Sequence, residues 1–152
     1  GQYWPIRPLA TCTVWLAVDD ANEENGCLKF IRGSHRDKNL KQHEFNENKN
    51  LTLHQELLKS EFNEKESVNL ILKRGQISLH DVYLVHGSDA NLSSKSRRGM
   101  TMRFMPTTSV FDHNLAKEKY NNLNVSKYSN RKIYLARGYD KSKRNNLEVV
   151  NF

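Results

Sequence analysis

Cysteine is almost missing from this chain: Cys12 and Cys27 are the only two in 152 residues, with no CxxC and no Cys/His spacing suited to zinc. Neither a disulfide scaffold nor a zinc finger is supported, and two isolated thiols fit a reducing, cytoplasmic setting. Long apolar runs are missing as well. None approaches the roughly 18 residues of a membrane span, and no signal-peptide pattern is visible. Apolar residues amount to 37%, and the polar excess sits in the middle and at the end. There is no internal repeat and no RNA- or DNA-binding motif. Lys and Arg number 24 against 17 Asp and Glu, a formal charge of +7. The basic residues are scattered, so they describe a solvated surface with weak attraction for anions, not a nucleic-acid face.

The length predicts one domain with a real core. Residues 9–18, Leu-Ala-Thr-Cys-Thr-Val-Trp-Leu-Ala-Val, are nearly all apolar or β-favouring and read as a strand buried on both faces. Asn25-Gly26 ends a polar turn, and Cys27-Leu28-Lys29-Phe30-Ile31 follows, which suggests an antiparallel pair. Residues 36–66 are rich in Asn, Lys, Glu and His, with a short helical pattern near Leu53, Leu57 and Leu58. They read as a long surface excursion, either a cover for a site or an inert insertion. Strand signals resume at 68–72, 77–80, 83–86 and 100–105. The stretch 109–127 is helical in part, and 132–138 forms a late strand or docking segment. Many short strands and few helices predict a mainly all-β sandwich or jelly roll.

The densest polar cluster is His86-Gly87-Ser88, then Asn91, then Arg97-Arg98. A histidine at a strand end and an arginine eleven positions on can enter one cavity, because the loop between them brings the next strand back. Imidazole is a good Fe(II) ligand, and guanidinium grips a carboxylate with two hydrogen bonds. A dicarboxylate that also chelates iron would suit the pair. The pattern equally fits a hydrogen-bonded barrel histidine and a surface arginine. Strand alternation puts Arg103 on the same face as Arg97, where it serves an anionic substrate group or a salt bridge at the rim. Arg7 is a weaker candidate of the same kind. His80-Asp81 lacks the intervening residue of a ligand pair, and His80 reads as a satisfied core histidine. His43 and His54 lie in the polar excursion and His113 in the tail, outside any sequence motif.

Residues 1–35 and 68–106 resemble the phytanoyl-CoA dioxygenase-like family of Fe(II)- and 2-oxoglutarate-dependent oxygenases. The resemblance is carried by Gly1-Gln2-Tyr3-Trp4-Pro5-Ile6, Thr13-Val14-Trp15-Leu16-Ala17-Val18-Asp19-Asp20, Glu24-Asn25-Gly26-Cys27-Leu28, Gly33-Ser34-His35 and His86-Gly87-Ser88 through Asn91 to Arg97. It implies a double-stranded β-helix, or jelly roll, with iron held by a His-x-Asp pair and a distal histidine. His86 matches the distal ligand. Arg97 matches the residue that takes the far carboxylate of 2-oxoglutarate, and Ser88 resembles its hydrogen-bonding helper. Thr13 and Trp15 lie on the strand that lines the family's pocket, and Tyr3 and Trp4 are candidates for its mouth. The implied reaction hydroxylates a small organic substrate with molecular oxygen and leaves succinate and carbon dioxide.

The resemblance places the His-x-Asp pair immediately before Gly1. The expectation is a single jelly-roll domain truncated at its N-terminus, with core strands at about 8–35 and 68–106, an insertion at 36–66 and a C-terminal extension at 107–152. Without the pair, the 152-residue chain is expected to be inactive. His35-Arg36-Asp37 is a second His-x-Asp and, with His86, a rival trio, but its place in the resemblance is a corner and not the metal. Arg32 stands where the family usually has proline. Three other readings remain: a non-catalytic jelly-roll binding module, a cupin-type metalloenzyme that does not use 2-oxoglutarate, and a nucleic-acid binder.

Overall fold

The structure is a computed structural model and describes residues 1, 4–48, 54–123 and 127–149. Its strands run in the order β1 (Ile6–Arg7), β2 (Cys12–Ala17), β3 (Leu28–Ile31), β4 (His43–Phe45), β5 (Gln55–Leu57), β6 (Ser67–Leu70), β7 (Ile77–Asp81), β8 (His86–Ser88), β9 (Gly99–Phe104) and β10 (Val110–Phe111). Helix α1 (His113–Leu123) follows, then β11 (Ile133–Tyr134) and β12 (Leu147–Glu148). The chain divides into two compact units. One is Cys12–Asn46 with Gln55–Phe104, and the other is Gly1–Thr11, Glu47–His54 and Met105–Phe152.

The first unit is built from two antiparallel three-stranded sheets, in the orders β7-β2-β9 and β6-β3-β8. In β2 the side chains alternate, as strand geometry requires. Thr13, Trp15 and Ala17 are buried, while Cys12 is exposed and Val14 and Leu16 are partly so. The expected burial on both faces is therefore corrected to one face. The outer face of this sheet exposes Ile77, Leu79, Met100 and Phe104. Trp15, Ala17, Ala21, Cys27 and Leu72 form the core, with Leu28 and Leu70 packed against it.

The expected β2–β3 hairpin is also corrected, because the two strands lie in different sheets. The turn between them carries the chain from one sheet to the other. Asn25 Oδ1 accepts from the Asn22 amide at 2.8 Å, Asn22 Oδ1 accepts from the Asn25 amide at 3.1 Å, and Asn25 Nδ2 donates to the Asp20 carbonyl at 2.8 Å. These bonds satisfy a side chain that is 2% exposed. Gly26 follows at φ +73°, where a Cβ would stand 2.5 Å from the Asp89 carbonyl oxygen.

The polar excursion holds more structure than its composition suggests. β4 and β5 pair antiparallel, and two 3-10 turns, Lys59–Glu61 and Glu64–Glu66, lead into β6. Leu57 lies in a strand, so the helical reading around it is corrected, and Leu53 lies outside the described residues.

In the second unit β1 pairs antiparallel with β10, and β11 pairs parallel with β12. Buried Trp4 stacks on Tyr128 with ring centroids 4.9 Å apart, and the Arg131 guanidinium lies 4.8 Å from the Tyr128 ring. Arg7 Nη1 donates to the Ile6 and Trp4 carbonyls at 2.7 and 3.0 Å, a local structural role. Among the described residues no helix is long and apolar enough to cross a membrane.

Candidate functional site

The entry to β8 is pinned by a serine. Ser34 Oγ donates to the Ile31 carbonyl at 2.8 Å and accepts from the Val85 amide at 2.9 Å. The corner Gly33-Ser34 thus fixes where β8 begins, and β8 begins with His86. The His86 Nδ1 lies 2.7 Å from the Leu84 carbonyl oxygen. A carbonyl can only accept, so Nδ1 carries the proton and the Nε2 lone pair is left for a ligand. His86 stands in register with Phe30 on β3, and Ser88 with Leu28. Although the strand is accessible to solvent, protein packed around the imidazole disfavours its charged form and lowers the His86 pKa.

The opposing sheet brings a second imidazole to the same place. The His80 ring centroid is 5.0 Å from that of His86 and 5.4 Å from that of Phe30. Burial, then the neighbouring His86 and Arg103, push the His80 pKa down to about 4. His80 is in register with Thr13, and Thr13 with Arg103, so the three form one row across β7, β2 and β9. Arg103 Nε donates to Thr13 Oγ1 at 3.1 Å. One row further, Trp15 stands between Ser78 and Thr101. Next to it, Gly99 leaves the space that the indole fills, since a Cβ there would stand 2.3 Å from the ring.

Arg97 precedes Gly99 by two residues and lies at the other end of this inner surface. Burial raises the pKa of the core thiol Cys27, and the charge of Arg97 works against that rise. Arg98 faces outward instead. It grips Asp19 through Nε and Nη2, both at 2.8 Å, and the two bonds hold the Asp19 carboxyl well below its usual range.

In this unit, the buried side-chain polar atoms without a hydrogen-bond partner, among the described residues, are Ser78 Oγ, His80 Nδ1 and Arg97 Nε. An unpaired buried polar group costs about 1–3 kcal/mol. Ser78 and His80 share the inward face of β7, so two of these three atoms lie on one surface.

Of the residues proposed from sequence, Thr13, Trp15, His86, Ser88, Arg97 and Arg103 belong to this unit. Trp4 belongs to the other unit, and Tyr3 lies outside the described residues. Asp37 is spent on the Asn39 amide at 3.1 Å and on Lys41 at 3.6 Å. Among the described residues, no group of three or more His, Cys, Asp or Glu is placed to hold a metal ion. The residues present thus offer iron one corner, the Nε2 of His86, and not a complete site. For an oxoacid the fit is better, because the Arg97 Nε is buried with no partner.

The reading of His80 as a satisfied core histidine is corrected, because the residue is buried but its Nδ1 is unsatisfied. The signal was in the alternation of Ile77-Ser78-Leu79-His80. Its apolar members are exposed at 52% and 64%, while His80 is 8% exposed. The strand turns its polar side inward.

Two facing antiparallel sheets in this strand order make a jelly-roll core, here with an imidazole, an arginine whose Nε is buried, and a polar inner row. The chain belongs to the phytanoyl-CoA dioxygenase family, whose model matches residues 1–99. A phytanoyl-CoA dioxygenase domain-containing protein 1 homolog from Caenorhabditis briggsae is 35% identical over 106 residues, covering 66% of this chain and 36% of that protein. The chain therefore spans about a third of the length of the curated relatives it matches. The fold is similar to that of the non-heme monooxygenase ThoJ in its apo form, with a TM-score of 0.58, 22% identity, and coverage of 70% of this chain and 38% of that one. It is also similar to EvdO2 from Micromonospora carbonacea var. aurantiaca complexed with 2-oxoglutarate, with a TM-score of 0.55, 23% identity, and coverage of 68% and 40%. At these identities the likeness to the solved structures is one of fold.

Proposed function

We propose that this chain is the 2-oxoglutarate-binding part of an Fe(II)-dependent oxygenase that hydroxylates a small organic molecule. The observation that carries the reading is the buried, unpartnered Nε of Arg97 inside a jelly roll of this family. In this reading Arg97 takes the far carboxylate of 2-oxoglutarate, and Ser88 supplies a hydroxyl to the same pocket, while the Thr13 hydroxyl, a candidate for that pocket from sequence, is engaged by Arg103. His86 presents its Nε2 to iron, with the Leu84 carbonyl holding the ring in the required tautomer. Iron with 2-oxoglutarate supplies the oxidising power when bound, and the chain orients the reactants and excludes water. Trp15 and Arg103 face the substrate. Since one imidazole alone is a poor iron site, the 152-residue chain by itself is inactive in this reading.

Calorimetric titration of 2-oxoglutarate into the unaltered chain and into Arg97→Met tests it. A charge-assisted pair of hydrogen bonds is lost, so affinity should fall about 10- to 100-fold. Equal affinity in the two proteins would remove the reading and favour a binding module or a metalloenzyme that does not use 2-oxoglutarate.

A further inference from the structure

The inner surface carries a second cation that the co-substrate does not use. Arg97 and Arg103 are six residues apart along the chain that forms β9, about 20 Å if fully extended, so one short dicarboxylate cannot occupy both. Around Arg103 the surface is specific. Thr13, 4% exposed, fixes the guanidinium by accepting from its Nε, and His80 stands in the same row on the far side of Thr13. Adjacent strands are about 4.8 Å apart, which leaves roughly 10 Å between the His80 and Arg103 backbones with the small Thr13 between them. Over that width the Arg103 guanidinium reaches back to Thr13, and so toward the His80 imidazole. The His80 Nδ1 is buried and without a partner, and two residues earlier on the same face the Ser78 Oγ is too. A histidine kept only for packing would be replaced at no loss by an apolar ring. The unsatisfied nitrogen beside an anchored arginine indicates a hydrogen bond made to something that arrives.

We propose that His80, Thr13 and Arg103 form a carboxylate-binding subsite for the substrate, separate from the Arg97 subsite. Arg103 supplies the charge. His80, in its Nδ1–H tautomer, donates to one carboxylate oxygen, and Thr13 sets the guanidinium plane. The 5.0 Å spacing of the His80 and His86 rings places this subsite beside His86. The inference rests on the oxygenase reading for its meaning but makes a claim about binding alone.

The test is an NMR titration of the full, unaltered 152-residue chain, labelled with nitrogen-15, using sodium acetate and, separately, inorganic phosphate and 2-oxoglutarate. Acetate should move the His80 ring nitrogens and the Arg103 Nε–H signal saturably, and this response should survive Arg97→Met. Arg103→Gln should weaken it roughly tenfold, in line with the loss of a charge-assisted bond. No movement at His80 with acetate, or movement at Arg97 alone, overturns the subsite. A response to phosphate but not acetate overturns the carboxylate assignment. Because the primary readout needs no substitution, a variant that fails to fold does not blunt it. If 2-oxoglutarate leaves Arg97 unmoved while acetate still shifts His80, the oxygenase reading fails and the subsite stands.

Discussion

Gly99→Ala is the most demanding test of the way the inner surface is built. The added Cβ would lie 2.3 Å from two atoms of the Trp15 indole and 2.6 Å from a third. Real contacts of that length do not occur, so either the ring or β9 must move. The ring cannot move cheaply, because Trp15 is 8% exposed and belongs to the core cluster with Ala17, Ala21, Cys27 and Leu72. β9 is held in turn by its ladder to β2 from Cys12↔Phe104 to Ala17↔Gly99. Overpacking of this kind costs about 1–3 kcal/mol. For a chain of this size each kcal/mol shifts the midpoint by about 2–4 °C, which predicts a fall in Tm of about 2–12 °C. The chain has two tryptophans, Trp4 and Trp15. In a Trp4→Phe background, thermal unfolding followed by fluorescence reports Trp15 directly, and its emission should shift red as the ring is displaced. Combining Gly99→Ala with Trp15→Leu should recover part of the loss, giving a favourable coupling in the double-mutant cycle. An unchanged midpoint and unchanged emission would show that Trp15 does not occupy this place, and the inner-face assignments on β9 would fall with it.

Gly26→Ala should destabilise by at least about 1 kcal/mol, since it combines a left-handed φ with a clash against the Asp89 carbonyl; chemical denaturation checks this. Ser34→Ala removes the acceptor of the Val85 amide and the donor to the Ile31 carbonyl, so hydrogen exchange at Val85 should accelerate by about tenfold or more; unchanged protection would mean that the corner does not pin β8. In the second unit, Asp140 is held down to about 2, first by the Ser142 hydroxyl and then by Asn145. A depressed folded-state value means that the contribution to stability is complete above the unfolded value of 3.8 and is lost as pH falls through about 2. Asp140→Asn should therefore lower stability at neutral pH and flatten the acid limb, which thermal melts across pH 2 to 7 would show or deny.

How much was legible beforehand differs by level. The β-favouring runs at 9–18, 27–31, 77–80 and 100–105 each contain a strand, since branched and aromatic residues in short runs are read locally. Their pairing was not legible. Asn25-Gly26 looks like a tight hairpin turn, but the reciprocal Asn22–Asn25 bonds and the buried Asn25 side chain make a wider link that changes sheets. The excursion 36–66 hid the β4–β5 pair, whose strands carry His, Gln and Glu and offer no apolar alternation. His80 was set aside because a histidine in a strand is usually satisfied, and satisfaction is a property of the neighbours that surround the ring.

What the sequence determined by itself is the kind of chemistry present: one histidine and two arginines at set spacings, in a β-rich chain of an oxygenase family. Spacing along a strand settles which face a side chain takes, and that needs no tertiary information. Only the tertiary structure decided which faces meet. It put His80 of one sheet beside His86 of the other, joined Arg103 to Thr13 across neighbouring strands, and left the Arg97 Nε buried without a hydrogen-bond partner. Those contacts link residues far apart in sequence and depend on how two sheets stack, which no local pattern encodes.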